Sequence, residues 1–220
     1  MTRLPRSIGL VSAAGALALA ATLGLAGPVA AATVPVVWDC EAKPPIGAPQ
    51  QLTLNNSVQA DAPATVVAGG SFEATLAPDP TTVPAEAGGY KITNLKNLKL
   101  KVPVPQGATF QSATLTGGSN LGTGIPSVAQ ADNVVTVTVP GPLAGGSTFQ
   151  LPALHLTLTA TGAAGTAIDT KLAGSSYTDP GMTFGATVQA GPFPIDVPTT
   201  CFANPSPTLT STTIEAAPVS

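Results

Sequence analysis

Charged and aromatic residues are scarce in this 220-residue chain, at 9% and 4% of positions, where an ordinary soluble domain carries about 25% charged residues. It has one histidine, one tryptophan and two cysteines. A single histidine limits any Ser-His-Asp or Cys-His mechanism to one base, His155. Mid-strand among outward threonines, His155 reads as a solvent-facing residue of a sheet rather than a catalytic group on a loop. Two cysteines and one histidine make a poor zinc set, and no CxxC spacing occurs. The Walker pattern, HExxH, GxSxG and the EF-hand loop are likewise missing. Few aromatics leave little to line a sugar cleft, which disfavours a glycosidase built on two carboxylates. Eight basic residues stand against eleven acidic ones, so nucleic acid is not an expected partner.

The one long apolar run lies at the N-terminus. Arg3 and Arg6 precede an uncharged Ala/Leu/Gly-rich stretch from Ser7 to Leu25, and Gly27-Pro28-Val29-Ala30-Ala31-Ala32 follows. A basic head, an apolar middle and small residues at a cleavage site describe a secretory signal peptide over residues 1–32. The alternative is a retained anchor, since about 18 apolar residues can begin to span a bilayer. Gly15, Gly24 and Gly27-Pro28 interrupt the run and favour cleavage. No cysteine follows Leu25-Ala26-Gly27, and the arginines are separated, so neither lipoprotein nor twin-arginine processing is indicated. The expectation is an exported protein, secreted or held at the cell wall, with no transmembrane anchor after cleavage. Losing Arg3 and Arg6 leaves six basic and eleven acidic residues, a net charge of −5.

Glycine and proline, 23 of each, punctuate short alternating apolar runs, the pattern of strands joined by turns. Strands are expected at Val34–Cys40, Gln51–Gln59, Ser71–Leu76, Asn97–Val104, Thr109–Thr116, Val134–Val139, Phe149–Ala160, Ile168–Ser176 and Met182–Val188. Alternation is cleanest from Leu154 to Ala160, where leucines face a core and His155, Thr157 and Thr159 face water. Phe72, Phe110 and Phe149, spaced by 38 and 39 residues, each follow a glycine turn and a hydroxyl residue, as three similar strand entries. Gly117–Gly124 reads as a long loop. A β-sandwich domain is expected over 33–202 and a disordered Thr/Pro/Ser-rich tail over 203–220. The competing reading of the tail is a final edge strand at Thr208–Ile214, with Leu209 and Thr213 on one face.

Cys40 and Cys201, an isolated pair in an exported chain, read as a disulfide; metal binding and a reactive thiol are the alternatives. Closing a loop of about 160 residues is worth roughly 5 kcal/mol in the chain-entropy model. Lys91, Lys96, Lys99 and Lys101 are four of the six mature lysines and fall within eleven residues. Lys99 and Lys101 share a strand face opposite Leu98, Leu100 and Val102. The stripe is a candidate contact for anionic lipid or wall polymer, or else a solvated face whose lysines discourage edge pairing. Asp39 and Glu41 flank Cys40 on one face, and Asp79, Asp132 and Asp179 fall in turns, where aspartate bonds its own backbone or helps hold calcium.

Ala60-Asp-Ala-Pro-Ala-Thr-Val66, Gly70-Ser-Phe72, Leu98 to Phe110, Val135 to Pro140 and Gly145 to Phe149 resemble the immunoglobulin-like modules of bacterial surface proteins, over about 130 residues. With Cys40, Asp179-Pro-Gly181 and Val197-Pro-Thr-Thr-Cys201, the chain also resembles uncharacterised secreted proteins of high-GC Gram-positive bacteria. The resemblance implies an all-β, immunoglobulin-like β-sandwich with extra N-terminal strands, and it carries no catalytic residues. Trp38 precedes Cys40, unlike the antibody arrangement of a tryptophan between two cysteines. The expected role is non-catalytic, binding or structural, without a cofactor, toward an envelope glycan, lipid or protein. The alternatives are a carrier of an apolar ligand between its sheets and a small secreted hydrolase acting through carboxylates or His155.

Overall fold

The structure, a computed structural model, describes residues 31–218. All but the last two positions of the expected signal peptide lie outside the described residues. Every regular element described is a strand, and among the described residues no helix is long and apolar enough to cross a membrane. The first half of the chain supplies β1 (Ala32–Ala42), β2 (Gln50–Asp61), β3 (Thr65–Val67), β4 (Ser71–Pro78), β5 (Thr81–Thr82), β6 (Glu86–Ala87), β7 (Tyr90–Pro103) and β8 (Ala108–Thr116). Next come β9 (Ser127–Ala131), β10 (Val134–Val139), β11 (Leu143–Ala144), β12 (Thr148–Phe149) and β13 (Ala153–Ala160). The chain ends with β14 (Ala167–Lys171), β15 (Met182–Ala190), β16 (Phe193–Ala203) and β17 (Thr208–Glu215).

β1 and β2 pair antiparallel along their whole length, from Ala32↔Ala60 to Ala42↔Gln50. Other strands join only the ends of this ribbon, and they join different ends. β4 pairs with β2 at Val58–Asp61, whereas β16 pairs with β1 at Trp38–Ala42. The ribbon therefore passes from one layer to the other. The first layer continues from it as β4-β13-β8, the second as β16-β15-β7-β10-β9. β8 and β9, at the two ends of this path, lie against each other, so the sandwich closes toward a barrel.

The inward faces form one core. Val36, Trp38 and Cys40 supply it from β1, Val135, Val137 and Val139 from β10, and Leu154, Leu156 and Leu158 from β13. The alternation expected around His155 is present, with the leucines buried and His155, Thr157 and Thr159 half-exposed. The all-β sandwich agrees with the sequence reading. In an immunoglobulin domain two separate sheets are bridged by the disulfide; here pairing is continuous, and Cys40 and Cys201 face each other on neighbouring strands of one layer. The Cys40–Cys201 disulfide joins Cα atoms 4.1 Å apart across 161 residues, the close approach of a directly opposed antiparallel pair. Both cysteines are fully buried.

Several features depart from expectation, the C-terminal segment first. Residues 203–220 are not a disordered tail over their described part. β17 lies between β14, to which it is antiparallel, and β3, to which it is parallel, so it is not an edge strand either. Leu209, Thr210, Thr212 and Ile214 are buried and Thr213 is exposed, because a register shift beside Thr210 changes the phase. The Thr212 hydroxyl donates to the Pro63 carbonyl at 2.8 Å, so a polar-looking sequence packs through threonine methyls with its hydroxyl satisfied. Leu209, together with Leu172, closes one end of the core against Leu100, Val102 and Leu154.

The second feature is β16, an interior strand despite Pro194 and Pro198, where proline normally argues against a strand interior. Pro198 accepts a hydrogen bond from the Lys43 amide, so its backbone faces the β1 side. β1 stops at Ala42↔Thr199, and Pro194, four residues earlier, faces the same way. Both prolines thus lack a donor only where no strand needs one. β7 also runs further than the expected Asn97–Val104. Asn97, with φ of 52°, absorbs an irregularity that keeps both Leu95 and Leu98 buried, and this break in alternation hides the strand's first half.

At the end opposite β17 the chain crosses twice between the layers, through β5 and through β12, which pair with each other. Val83, Leu143 and Phe149 plug the core here. Beyond them β6, β7, β15 and β16 project as a four-stranded flap, in register through Glu86↔Lys91, Lys91↔Gln189 and Gln189↔Pro194.

Replacing both cysteines, Cys40→Ser with Cys201→Ser, is expected to lower unfolding free energy by about 2–5 kcal/mol. Urea titration checks this, with the reduced wild-type protein expected to fall to the level of the variant.

Candidate functional site

The lysine stripe lies on the outer face of the second layer. Lys99 is exposed and Lys101 half-buried, with Leu98 and Val102 buried on the reverse face, as the alternation requires. Their cross-strand neighbours are Thr138 and Thr136 on β10, and Thr183 on β15 faces Lys99. Among the described residues neither lysine is in an ion pair. Lys91 and Lys96 belong to a different setting. Lys91 stands opposite Glu86, and Lys96 bonds Asp196 at 2.6 Å. Gly185 stands opposite Lys96, and the Lys96 stem passes over it, so the absence of a side chain there leaves room for the stem. The structure thus divides the four lysines into two with carboxylate neighbours and two facing threonines.

His155 has a more developed environment than its sequence setting indicates. Its Nε2 lies 2.8 Å from the Thr116 hydroxyl on β8. Its Nδ1 lies 3.1 Å from a Glu73 carboxylate oxygen on β4 and 3.2 Å from the Thr75 hydroxyl. The Thr75 hydroxyl also donates to Glu73 at 3.3 Å. Hydroxyl, imidazole and carboxylate form a chain across three strands on the outer face of the first layer. Such a chain ties strands together, and it can also move a proton from hydroxyl to ring while the carboxylate orients the ring. Acyl transfer would further need donors aimed at an oxyanion and walls that hold substrate. Glu73 and Thr116 were not legible as partners, because 82 and 39 residues separate them from His155 and only strand register unites them.

The carboxylates beside Cys40 share an outer face, as expected, but each has its own partner. Asp39 accepts from the Asn204 side chain at 2.7 Å, and Glu41 pairs with Lys43 at 2.8 Å. Asp79 is bonded by Ser57 and Gln59, and Asp179 by Ser175. Among the described residues no group of three or more His, Cys, Asp or Glu side chains is placed to hold a metal ion. The Asp179-Pro-Gly181 segment has a packing reason. The Gly181 amide donates to Cys201 and its carbonyl accepts from Lys101, while a β-carbon there would strike the Ala173 carbonyl. Within the core, Val58, Leu76, Leu100, Val137, Leu154 and Leu209 border a void of about 20 Å³, room for one water molecule.

The Asp196 carboxyl is held below its ordinary value of 3.8 by the hydrogen bond from Lys96 and then by that from Thr187. A depressed carboxyl contributes stability that is present above the ordinary value and is lost as pH falls through the folded-state value. Wild type should therefore exceed Asp196→Asn in stability at neutral pH, by a small margin because the pair is exposed. The two should converge in denaturant titrations as pH drops below 3.8.

No family model matches the sequence, and no curated protein matches it. Among solved structures, the chain is similar to a crystal structure named "Putative membrane anchored protein" from Corynebacterium diphtheriae, a high-GC Gram-positive bacterium. Identity is 18%, the TM-score is 0.57, and the likeness covers 85% of this chain but 38% of the other. The chain thus spans well under half the length of the protein it matches, and at this identity the likeness is one of fold.

Proposed function

We propose that this chain is an exported, envelope-associated β-sandwich protein with a binding or structural role rather than a catalytic one. The observation that carries the reading is the buried Cys40–Cys201 disulfide, which closes 161 residues; such bonds persist in oxidising compartments outside the cytoplasm. The name of the Corynebacterium structure, a fold relative, supports a place at the envelope. The immunoglobulin-like resemblance fits the same setting, since surface modules of that kind share the sandwich architecture. Lys99 and Lys101, in no ion pair among the described residues, suit a weak contact with an anionic wall polymer or lipid. Binding at the surface is favoured over carriage of an apolar ligand, because a core void of about 20 Å³ admits such a ligand only if the layers separate.

Host-cell fractionation with thiol alkylation before lysis tests this reading. The chain is expected in the medium or the envelope with both cysteines protected. A cytoplasmic chain with alkylated cysteines would overturn it.

A second reading, a small secreted hydrolase, is favoured by the Thr116–His155–Glu73 chain alone. Under it, His155→Ala lowers the hydrolysis of activated esters at least about a hundredfold with the unfolding midpoint preserved. Under the binding reading, wild type and variant are indistinguishable from buffer.

A further inference from the structure

The flap presents an apolar row that nothing among the described residues covers. Tyr90, Ala190 and Phe193 continue the inward-facing phase of their strands: Ile92, paired with Val188, is buried, and Val188 is paired with Ile195. One step further out, Ala190 pairs with Phe193, and Ala87 pairs with Tyr90. Tyr90 is 52% exposed and Phe193 71%. The opposite layer has already ended, so the phase that buries side chains elsewhere leaves these in solvent. The reverse face carries Glu86, Lys91, Gln189 and Asp196. The flap is therefore an amphipathic sheet with one bare apolar side.

We infer that this apolar face of the flap, led by Tyr90 and Phe193, docks on a lipid surface at the boundary between headgroups and acyl chains. The inference rests on the envelope reading and names the partner. Three observations select lipid over other occupants. Tyr90 and Phe193 together expose on the order of 250 Å², whereas a stable dimer buries about 800 Å² on each partner, so a second copy is poorly served by this face. Strand addition along β16 is disfavoured, because Pro194 removes a donor from its open edge and at Pro198 that edge is already met by the Lys43 amide. Charge on the flap is balanced, with Lys91 opposite Glu86 and Lys96 paired to Asp196, so attraction to a strongly charged polymer finds little purchase here. A tyrosine and a phenylalanine beside the Gly88-Gly89 and Gly191-Pro192 turns are residue types that settle at a membrane interface.

Flotation of the exported protein with phosphatidylcholine vesicles, and separately with phosphatidylglycerol vesicles, tests the inference. The protein is expected to float with both and to stay bound in high salt. The double variant Tyr90→Ser/Phe193→Ser should lose at least about tenfold in partitioning, with its unfolding midpoint kept because both side chains are exposed. Ile125→Ser, which removes a side chain 84% exposed in the loop between β8 and β9, should float as the wild type does. In a Phe193→Trp variant, emission should shift to the blue on adding vesicles, while Trp38, 2% exposed, contributes a constant signal.

Flotation unchanged in the double variant, or no shift from Phe193→Trp, overturns the inference. Release by salt would assign the contact to the lysines instead. A dimer abolished by the double variant would make a second copy the occupant. Full vesicle binding by the double variant, with the protein still in the envelope, would sink the flap alone; a cytoplasmic chain would sink the envelope reading whatever the vesicles show.

Discussion

The β1–β2 ribbon must serve two layers at once, and the rest of the fold depends on its being held at the right place along its length. One end hydrogen-bonds to β4 and the other to β16, so a sliding ribbon would shift the register of both layers together. Sliding by one residue would also turn Val36, Trp38 and Cys40 out of the core. The Cys40–Cys201 bond fixes one register covalently at the junction with β16. Trp38, two residues along on the same face, adds a second constraint by donating to the Asn56 side chain at 3.2 Å and packing beside Gly181. The single tryptophan and the only cross-link among the described residues thus meet where the ribbon changes layers. Few aromatics are needed elsewhere because the remaining core is built from β-branched and leucine side chains on opposed pleats.

Much of this was legible in the sequence, and the limits have physical causes. Leu154 to Ala160 and Val134 to Val139 announce themselves because each strand has one buried and one wet face, which writes period two into the residue types. The disulfide was legible from an even cysteine count behind an expected export signal, but its partners' direct opposition was not, since register is a property of pairing. β16 was concealed by its prolines, whose acceptability depends on where β1 ends. β17 was concealed by threonine, a residue that reads as polar yet buries a methyl when its hydroxyl finds a carbonyl such as that of Pro63. His155 was correctly placed on an outward face, and its chain to Glu73 and Thr116 was invisible because those residues come from two other strands.

The two ends of the sandwich are treated differently, and that asymmetry bears most on function. At one end the third sheet, β3, β17 and β14, closes the core, using Ile168 and Ile214 to cover the glycine turns at Gly107 and Gly162. At the other, the crossovers through β5 and β12 seal the core early, and the second layer runs on without a partner. A strand pair that merely needed a turn would turn at Ile92 and Val188, where burial stops. Instead the chain spends additional residues on each of four strands, keeps them in register, and places aromatic side chains on the face that gains nothing from the core. Exposed apolar surface of this kind costs solubility and returns no folding stability. Its two faces nonetheless keep strict alternation, apolar on one side and charge-balanced on the other, which is the pattern of a sheet with a partner. Since neither the area nor the proline-blocked edge suits another protein chain, a surface that accepts small aromatic anchors singly is the partner whose chemistry fits.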